Sequence, residues 1–410
     1  MKIWLKLLIG SALGIILGFI LPANSTDTQE LFKTMAEIII KIGRYLLYPL
    51  VFFSLTVGIF TLRESNKGLR VFLRTIAYML IFSLGLTIIG TLSVLMLSSF
   101  RIPIIIERGQ ALPVLKLADY FRNVFSSNLF AIFADNGNFL LPVVFLALIL
   151  GINMSWDKQL TRPVVQLFDS FSQIFYRIND LLAEIMGIGM IALSTWLVIQ
   201  MRMVPSLELF RQLIIVLLID VVIIVGGVFP LLIYFLVPGR RNPYKWIYAA
   251  LAAGLSAFFS GDNYFSQSFL IKTGRENMGV PRRVGAFTYP MFALFGKAGT
   301  SMVTGISFIV ILKSYSSLGI AADVPWVILI AFLLSFLTGN YPALGFLASI
   351  AFMCNLYGQD LQEGYLVLSP IIPLLSSFSV FLDVMTSAIG SLLIAEHEHM
   401  RKDPEIHNFA

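Results

Sequence analysis

The stretches VPWVILIAFLLSFL (Val324–Leu337), TGNYP (Thr338–Pro342) and ALGFLASIAFMCNLY (Ala343–Tyr357) follow one another without a single charge, and their order decides the fold. A straight membrane-spanning helix needs about 20 apolar residues, so neither apolar arm crosses alone. Gly339, Asn340 and Pro342 between the arms would leave backbone groups without partners in hydrocarbon. Two half-depth arms joined by a polar tip therefore predict a re-entrant hairpin, which is tolerated only where protein or a water-filled cavity surrounds it. A second stretch repeats the device: Trp246–Ile271 is apolar on both sides of Ser260-Gly261-Asp262-Asn263. Two such hairpins in one half of the chain predict two gates around one site.

Composition agrees with this reading. A chain of 410 residues that is 58% apolar and 13% charged, with a mean hydropathy of +0.86, is an all-α polytopic membrane protein rather than a soluble domain. The net charge of +6 comes from basic residues in short loops between apolar runs, where they set topology, and predicts no nucleic-acid partner. Cys354 is the only cysteine, so a disulfide within the chain is impossible. Lys2–Leu21 reads as the first helix rather than a signal peptide, because its apolar run is long, lacks an Ala-x-Ala site and is followed by further spans. Glu396-His397-Glu398-His399 fits neither common zinc spacing and reads as a solvated tail without a metal. There is no nucleophile with a base and no intramembrane histidine, so neither an enzyme nor an organic cofactor is expected.

Apolar runs predict helices at Trp4–Leu21, Tyr45–Leu62, Thr75–Phe100, Asn136–Trp156, Ile185–Met201 and Leu213–Val237. The first hairpin, Val284–Leu312, the second hairpin and Gly364–Ala395 follow, giving eight transmembrane helices plus two re-entrant helical hairpins. Placing the N-terminus inside puts Arg63, Arg70, Arg74, Lys158, Arg162, Arg240, Arg241, Arg275, Arg282, Arg283 and Arg401 on the cytoplasmic face of a plasma (inner) membrane, with both termini cytoplasmic. The hairpins then enter from opposite faces and each precedes a single helix. Such an inverted repeat suits alternating access, and so a transporter.

Four ionisable side chains, Asp220, Asp262, Lys297 and Asp383, lie deep within these spans. At the centre of a membrane helix each costs about 2.5–3.5 kcal/mol, so each is expected to face a cavity or a partner. A buried ion pair that only holds the bundle together is the competing reading. In Gly296-Lys297-Ala298-Gly299-Thr300 two glycines weaken the helix at mid-span, and a break there would expose carbonyls and a half-helix N-terminus to an ion or carboxylate. Asp383 has Thr386 and Ser387 one turn on, an acid with two hydroxyls that can hold an ammonium group. Those hydroxyls can equally bond back to their own helix.

The order of elements resembles the dicarboxylate/amino acid:cation symporter family, the glutamate-transporter-like proteins, nearly end to end. Local resemblance lies in Tyr48-Pro49-Leu50-Val51-Phe52-Phe53-Ser54, Leu141-Pro142-Val143-Val144-Phe145, Met278-Gly279-Val280, Tyr341-Pro342-Ala343-Leu344-Gly345 and Phe381-Leu382-Asp383. The resemblance implies a homotrimer with an elevator-type cycle. A scaffold and trimerisation part would span 1–70 and 125–204, with an outer loop at 101–124. A transport part would span 71–100 and 205–400, with hairpins at 244–275 and 322–358, a broken seventh helix at 284–313 and an eighth at 364–396. It implies a small amino acid or dicarboxylate as cargo, with sodium or a proton as coupling ion. The implied cargo residues are Asp383, Thr386, Ser387, Thr300, Asp262, Asn263, Thr338, Gly339, Asn340 and Pro342, with Asp383 on the cargo amino group. Lys297, Gly296, Gly299 and Gly390 fall at the coupling-ion positions.

The departures from that pattern carry their own expectation. The family's Asn-Met-Asp-Gly-Thr reads Gly296-Lys297-Ala298-Gly299-Thr300, so a sodium-binding carboxylate has become Ala298. Along the eighth helix Gly390 and Ile394 close a motif that has lost its second carboxylate, and Thr386 stands where an arginine would grip an acidic side chain. Lys297 is therefore expected to act as a tethered monovalent cation, paired with Asp262 or Asp383, that weakens sodium coupling or gives it over to protons. Two other readings stay open. Lys297 neutralises Asp262 for stability alone, or the chain is a non-transporting, substrate-binding membrane sensor or partner homologue.

Overall fold

The computed structural model describes residues 2–97, 101–103, 131–134, 139–237, 242–315, 323–341, 343–358 and 361–402. Regular structure among them is helical throughout. Helices α1 (Ile3–Ile20), α2 (Thr26–Arg44), α3 (Leu47–Glu64) and α4 (Gly68–Leu97) open the chain. Only two residues separate α2 from α3, so the predicted span Tyr45–Leu62 is the second half of a unit running Thr26–Glu64. The first half escapes an apolar scan because α2 carries polar residues along one side. It is nonetheless a well-signalled helix, with Ser25 at its N-cap, Asp27 in its first turn, and Lys41 and Arg44 in its last.

Helices α5 (Leu141–Met154) and α6 (Lys158–Arg202) come next. The predicted span Ile185–Met201 is the C-terminal part of α6, whose full length is 45 residues. Its first half alternates charged and apolar faces, a pattern with low average hydropathy but a clear helical period. Leu160, Val164, Leu167, Phe171, Ile174, Ile178, Leu181, Ile185 and Ile188, spaced alternately four and three apart, are all exposed along one side.

The second half of the chain comprises α7 (Arg211–Ile223), a π-helical turn (Ile224–Val228) and α8 (Phe229–Leu236). Then come α9 (Tyr244–Ser260) and α10 (Asn263–Glu276), α11 (Arg282–Phe295) and α12 (Ala298–Tyr315), α13 (Val324–Leu334) and α14 (Gly345–Tyr357). A 3-10 segment, Gly364–Ile371, leads into α15 (Ile372–His397). Among the described residues, seven helical units are long and apolar enough to cross a membrane, and α5, α13 and α14 are shorter apolar helices. The α11–α12 unit is the most enclosed, with 94% of its apolar window buried. It packs against α3, α4, α13, α14 and α15, so any break in it falls in the interior.

The C-terminal segment is not a solvated tail. His397 Nδ1 lies 2.9 Å from Tyr78 Oη on α4, Glu398 is 4% exposed and pairs with Arg74 at 2.9 Å, and Lys67 donates to the Glu398 carbonyl. The helix α15 runs on to His397 and lays this end against α4, which the polar composition of the segment concealed. Among the described residues no group of three or more His, Cys, Asp or Glu could hold a metal ion.

Candidate functional site

The predicted break in the seventh helix lies at Gly296–Lys297, between α11 and α12. The Gly296 N–H still closes α11 on the Phe292 carbonyl, and the Ser301 N–H opens α12 on the Lys297 carbonyl. The first turn of α12 therefore needs an external acceptor. Asp383 on α15 supplies it: Oδ1 accepts the Thr300 N–H at 3.0 Å and Oδ2 accepts the Thr300 hydroxyl at 2.7 Å. An anion at a helix N-terminus is favoured by the partial positive charge there. Close approach is possible because residue 299 is glycine; a Cβ there would collide with the Ser379 carbonyl and the Asp383 N–H.

The Lys297 ammonium lies 3.8 Å from Asp383 Oδ2, with both side chains 1% exposed. The sequence left open whether its partner was Asp262 or Asp383; the structure chooses Asp383. The idea that Lys297 serves to neutralise Asp262 is thereby overturned. Asp262 has its own cation, Arg44 at the end of α2, whose Nε donates to Oδ1 at 3.0 Å and whose Nη2 pairs with Oδ2. Asp262 also caps α10, accepting the Phe265 N–H at 2.8 Å. Each of the four deep charges thus has company, the fourth being Asp220, which accepts from the Ser93 hydroxyl at 2.7 Å.

The turns between α9 and α10 and between α13 and α14 both reach the break. Tyr264, in the first turn of α10, donates its hydroxyl to the Gly339 carbonyl at 2.9 Å, joining one tip to the other. Gly339 sits against the end of α11, where a Cβ would strike the Leu294 carbonyl. Asn263 donates to the Ala293 carbonyl at 3.4 Å and accepts from Gln267 at 3.2 Å. Thr338 bonds back to the Leu334 carbonyl, and Thr386 bonds back to the Asp383 carbonyl at 2.8 Å. Ser387 Oγ is buried without a hydrogen-bond partner among the described residues. Gly390 receives the ring of Phe292 from α11. Asn340 lies in the 3-10 turn Thr338–Asn340, and Pro342 lies outside the described residues.

Sequence reasoning missed Arg44 and Tyr264. Arg44 directly precedes the apolar run Tyr45–Phe53, three residues after Lys41, and nothing local names a partner 218 residues away. Its guanidinium also lies 5.9 Å from the Tyr264 ring centroid. Beyond it, α6 faces α10 and α11 with a row of complementary charges. Glu184 pairs with Lys272 at 2.9 Å, Asp180 with Arg275 at 2.6 Å, and Asp169 with Arg282.

Membrane-length helices around an enclosed broken helix, with two helix–turn–helix tips meeting at its break, define a multi-pass membrane transport protein. The family description "Sodium:dicarboxylate symporter family" matches residues 3–397, and the chain belongs to that family. It is 20% identical over 329 residues to a proton/sodium-glutamate symport protein of Geobacillus stearothermophilus, covering 76% of this chain and 74% of the relative. Identity is 23% over 197 residues to a C4-dicarboxylate transport protein of Bordetella avium (46% and 43% covered). It is 26% over 180 residues to an excitatory amino acid transporter 4 of Mus musculus (43% and 31% covered). The last two matches span less than half of those relatives. The family is one of transporters, not of enzymes.

Proposed function

We propose that the protein is a secondary active symporter that carries a small dicarboxylate or amino acid across the membrane by an elevator-type cycle, with Lys297 in the place of a coupling sodium ion. One observation carries this reading: the Lys297–Asp383–Thr300 cluster, buried at the helix break between the two tips. Asp383 is already held by the Thr300 donors and an internal ammonium. A cargo amino group would have to displace Lys297, so a dicarboxylate is the favoured cargo over an amino acid. The two helix–turn–helix units, α9–α10 and α13–α14, support re-entrant hairpins in an inverted repeat. The exposed stripe along α6 supports a homotrimer seam between scaffold parts. Sodium and protons are both named as coupling ions for the Geobacillus stearothermophilus relative; the internal ammonium favours protons here.

The test is uptake of labelled C4-dicarboxylates and amino acids into proteoliposomes, with and without a sodium gradient at fixed pH and potential. Dicarboxylate uptake indifferent to sodium is the expected result, and strict sodium dependence overturns the tethered-cation reading. A second reading, a substrate-binding sensor that does not transport, is favoured by the ion pairs that tie α10 and α11 to α2 and α6. Binding of a dicarboxylate without uptake would select it.

A further inference from the structure

Of the four deep charges, Asp220 is the one with no opposite charge beside it among the described residues. It lies near the middle of the apolar unit Leu207–Leu236 and is fully buried. Its Oδ2 accepts the Ser93 hydroxyl, while Oδ1 is buried with no hydrogen-bond partner, and no basic group lies within ion-pair distance among the described residues. The elements packed against α7 are α4, α12, α15 and the adjoining turns. On α4 the ionisable Arg70, Arg74 and Tyr78 lie at least four helical turns before Ser93. On α12 Lys313 donates to the Val94 carbonyl, and Tyr315 follows it. On α15 Asp383 is bound to Thr300 and Lys297, while Glu396 and His397 lie at the far end beside Arg401 and Tyr78. Glu208 and Arg211 precede Asp220 by two turns or more.

A second observation marks the same place. The helix loses its α-helical register one turn after Asp220, in a π-helical turn holding Gly226 and Gly227, a distortion that recurs at functional sites. An uncompensated carboxylate in this position needs a positive charge. Two carboxyl oxygens and one hydroxyl are too few donors for a metal ion, whose coordination takes four to eight, but they suffice for a proton.

We propose that Asp220 is a proton-carrying site: Oδ1 takes up one proton from water, forming one O–H bond and neutralising the side chain, and returns it to water on the opposite side. Its role as the coupling ion of the cycle rests on the transport reading; its protonation does not. The experiment is infrared difference spectroscopy of the reconstituted protein across a pH titration, on wild type, Asp220→Asn and Ser93→Ala, with thermal unfolding as the check on folding. A titrating carboxylic-acid carbonyl band is expected, absent in Asp220→Asn and displaced in Ser93→Ala. A band unchanged in Asp220→Asn, or one that never titrates, overturns the site. In proteoliposomes, Asp220→Asn should lose accumulation driven by a proton gradient while keeping cargo exchange without one; retained proton-driven accumulation overturns the coupling role. Should no cargo be found, the transport reading fails and the band alone decides the site.

Discussion

Replacing Lys297 with Met keeps most of the side-chain volume and removes the ammonium 3.8 Å from Asp383. At such a separation two unit charges attract by about 4 kcal/mol at an effective dielectric constant near 20. Stripping one partner from a buried pair costs roughly 3–5 kcal/mol. Asp383 keeps both Thr300 hydrogen bonds, which places the expected loss at the lower end, about 3 kcal/mol. In the variant a free monovalent cation can take the place of the ammonium, and a ligand at 100 times its Kd returns about 2.7 kcal/mol. The Tm of Lys297→Met should therefore rise with sodium against a choline control, nearly to the wild-type value, while wild type stays indifferent. Uptake by the variant should become sodium-dependent in the same range. A variant with a lowered Tm that no small cation restores, and with unchanged coupling, would show that Lys297 is structural only.

Thr300→Val removes a hydroxyl that donates to a buried carboxylate and should cost roughly 1.5–3 kcal/mol in reversible thermal unfolding, with Thr300→Ser recovering most of it. Arg44→Met leaves the Asp262 carboxylate buried and unneutralised and should cost about 3 kcal/mol; adding Asp262→Asn, which keeps the helix cap, should restore most of that Tm. Placing Glu at both Ile174 and Ile178, on the exposed face of α6, should dissociate the proposed homotrimer, read as monomers by native mass spectrometry; an unchanged trimer would refute the α6 seam.

Much of the site was legible because local chemistry wrote it. Gly261 and Asp262 ended one arm and capped the next, and Gly296 and Gly299 marked the break within a residue. What escaped was long-range or amphipathic. The partner of Asp262 lies on another helix, and no spacing rule reaches from Arg44 to it. The first half of α6 was invisible to an apolar scan because its charges lower the average hydropathy, and Asp169, Asp180 and Glu184 among them pair with α10 and α11. Thr386, which the sequence offered either to an ammonium beside Asp383 or to its own helix, spends its hydroxyl on its own helix, and it is Thr300, from the broken helix, that donates to the Asp383 carboxylate.

The two deep ion pairs obey one rule, that a buried charge needs a partner, yet they have opposite consequences for movement. Lys297 directly precedes α12 and Asp383 lies on α15, two helices that pack together, so in the proposed cycle the pair can travel as a neutral unit with no bond broken. Arg44 and Asp262 join α2 to α10, across the boundary between the proposed scaffold and the proposed transport part. Any elevator stroke must part them. The pairs along α6 are more exposed, Glu184 by 56%, and salt screens them, whereas Asp262 is fully buried and is screened far less. In the proposed elevator cycle the barrier to movement therefore concentrates on Arg44. In the Arg44→Met, Asp262→Asn double variant, faster cargo exchange at unchanged affinity would mark the pair as a latch. A loss of affinity at unchanged maximal rate would instead return Asp262 to the cargo site.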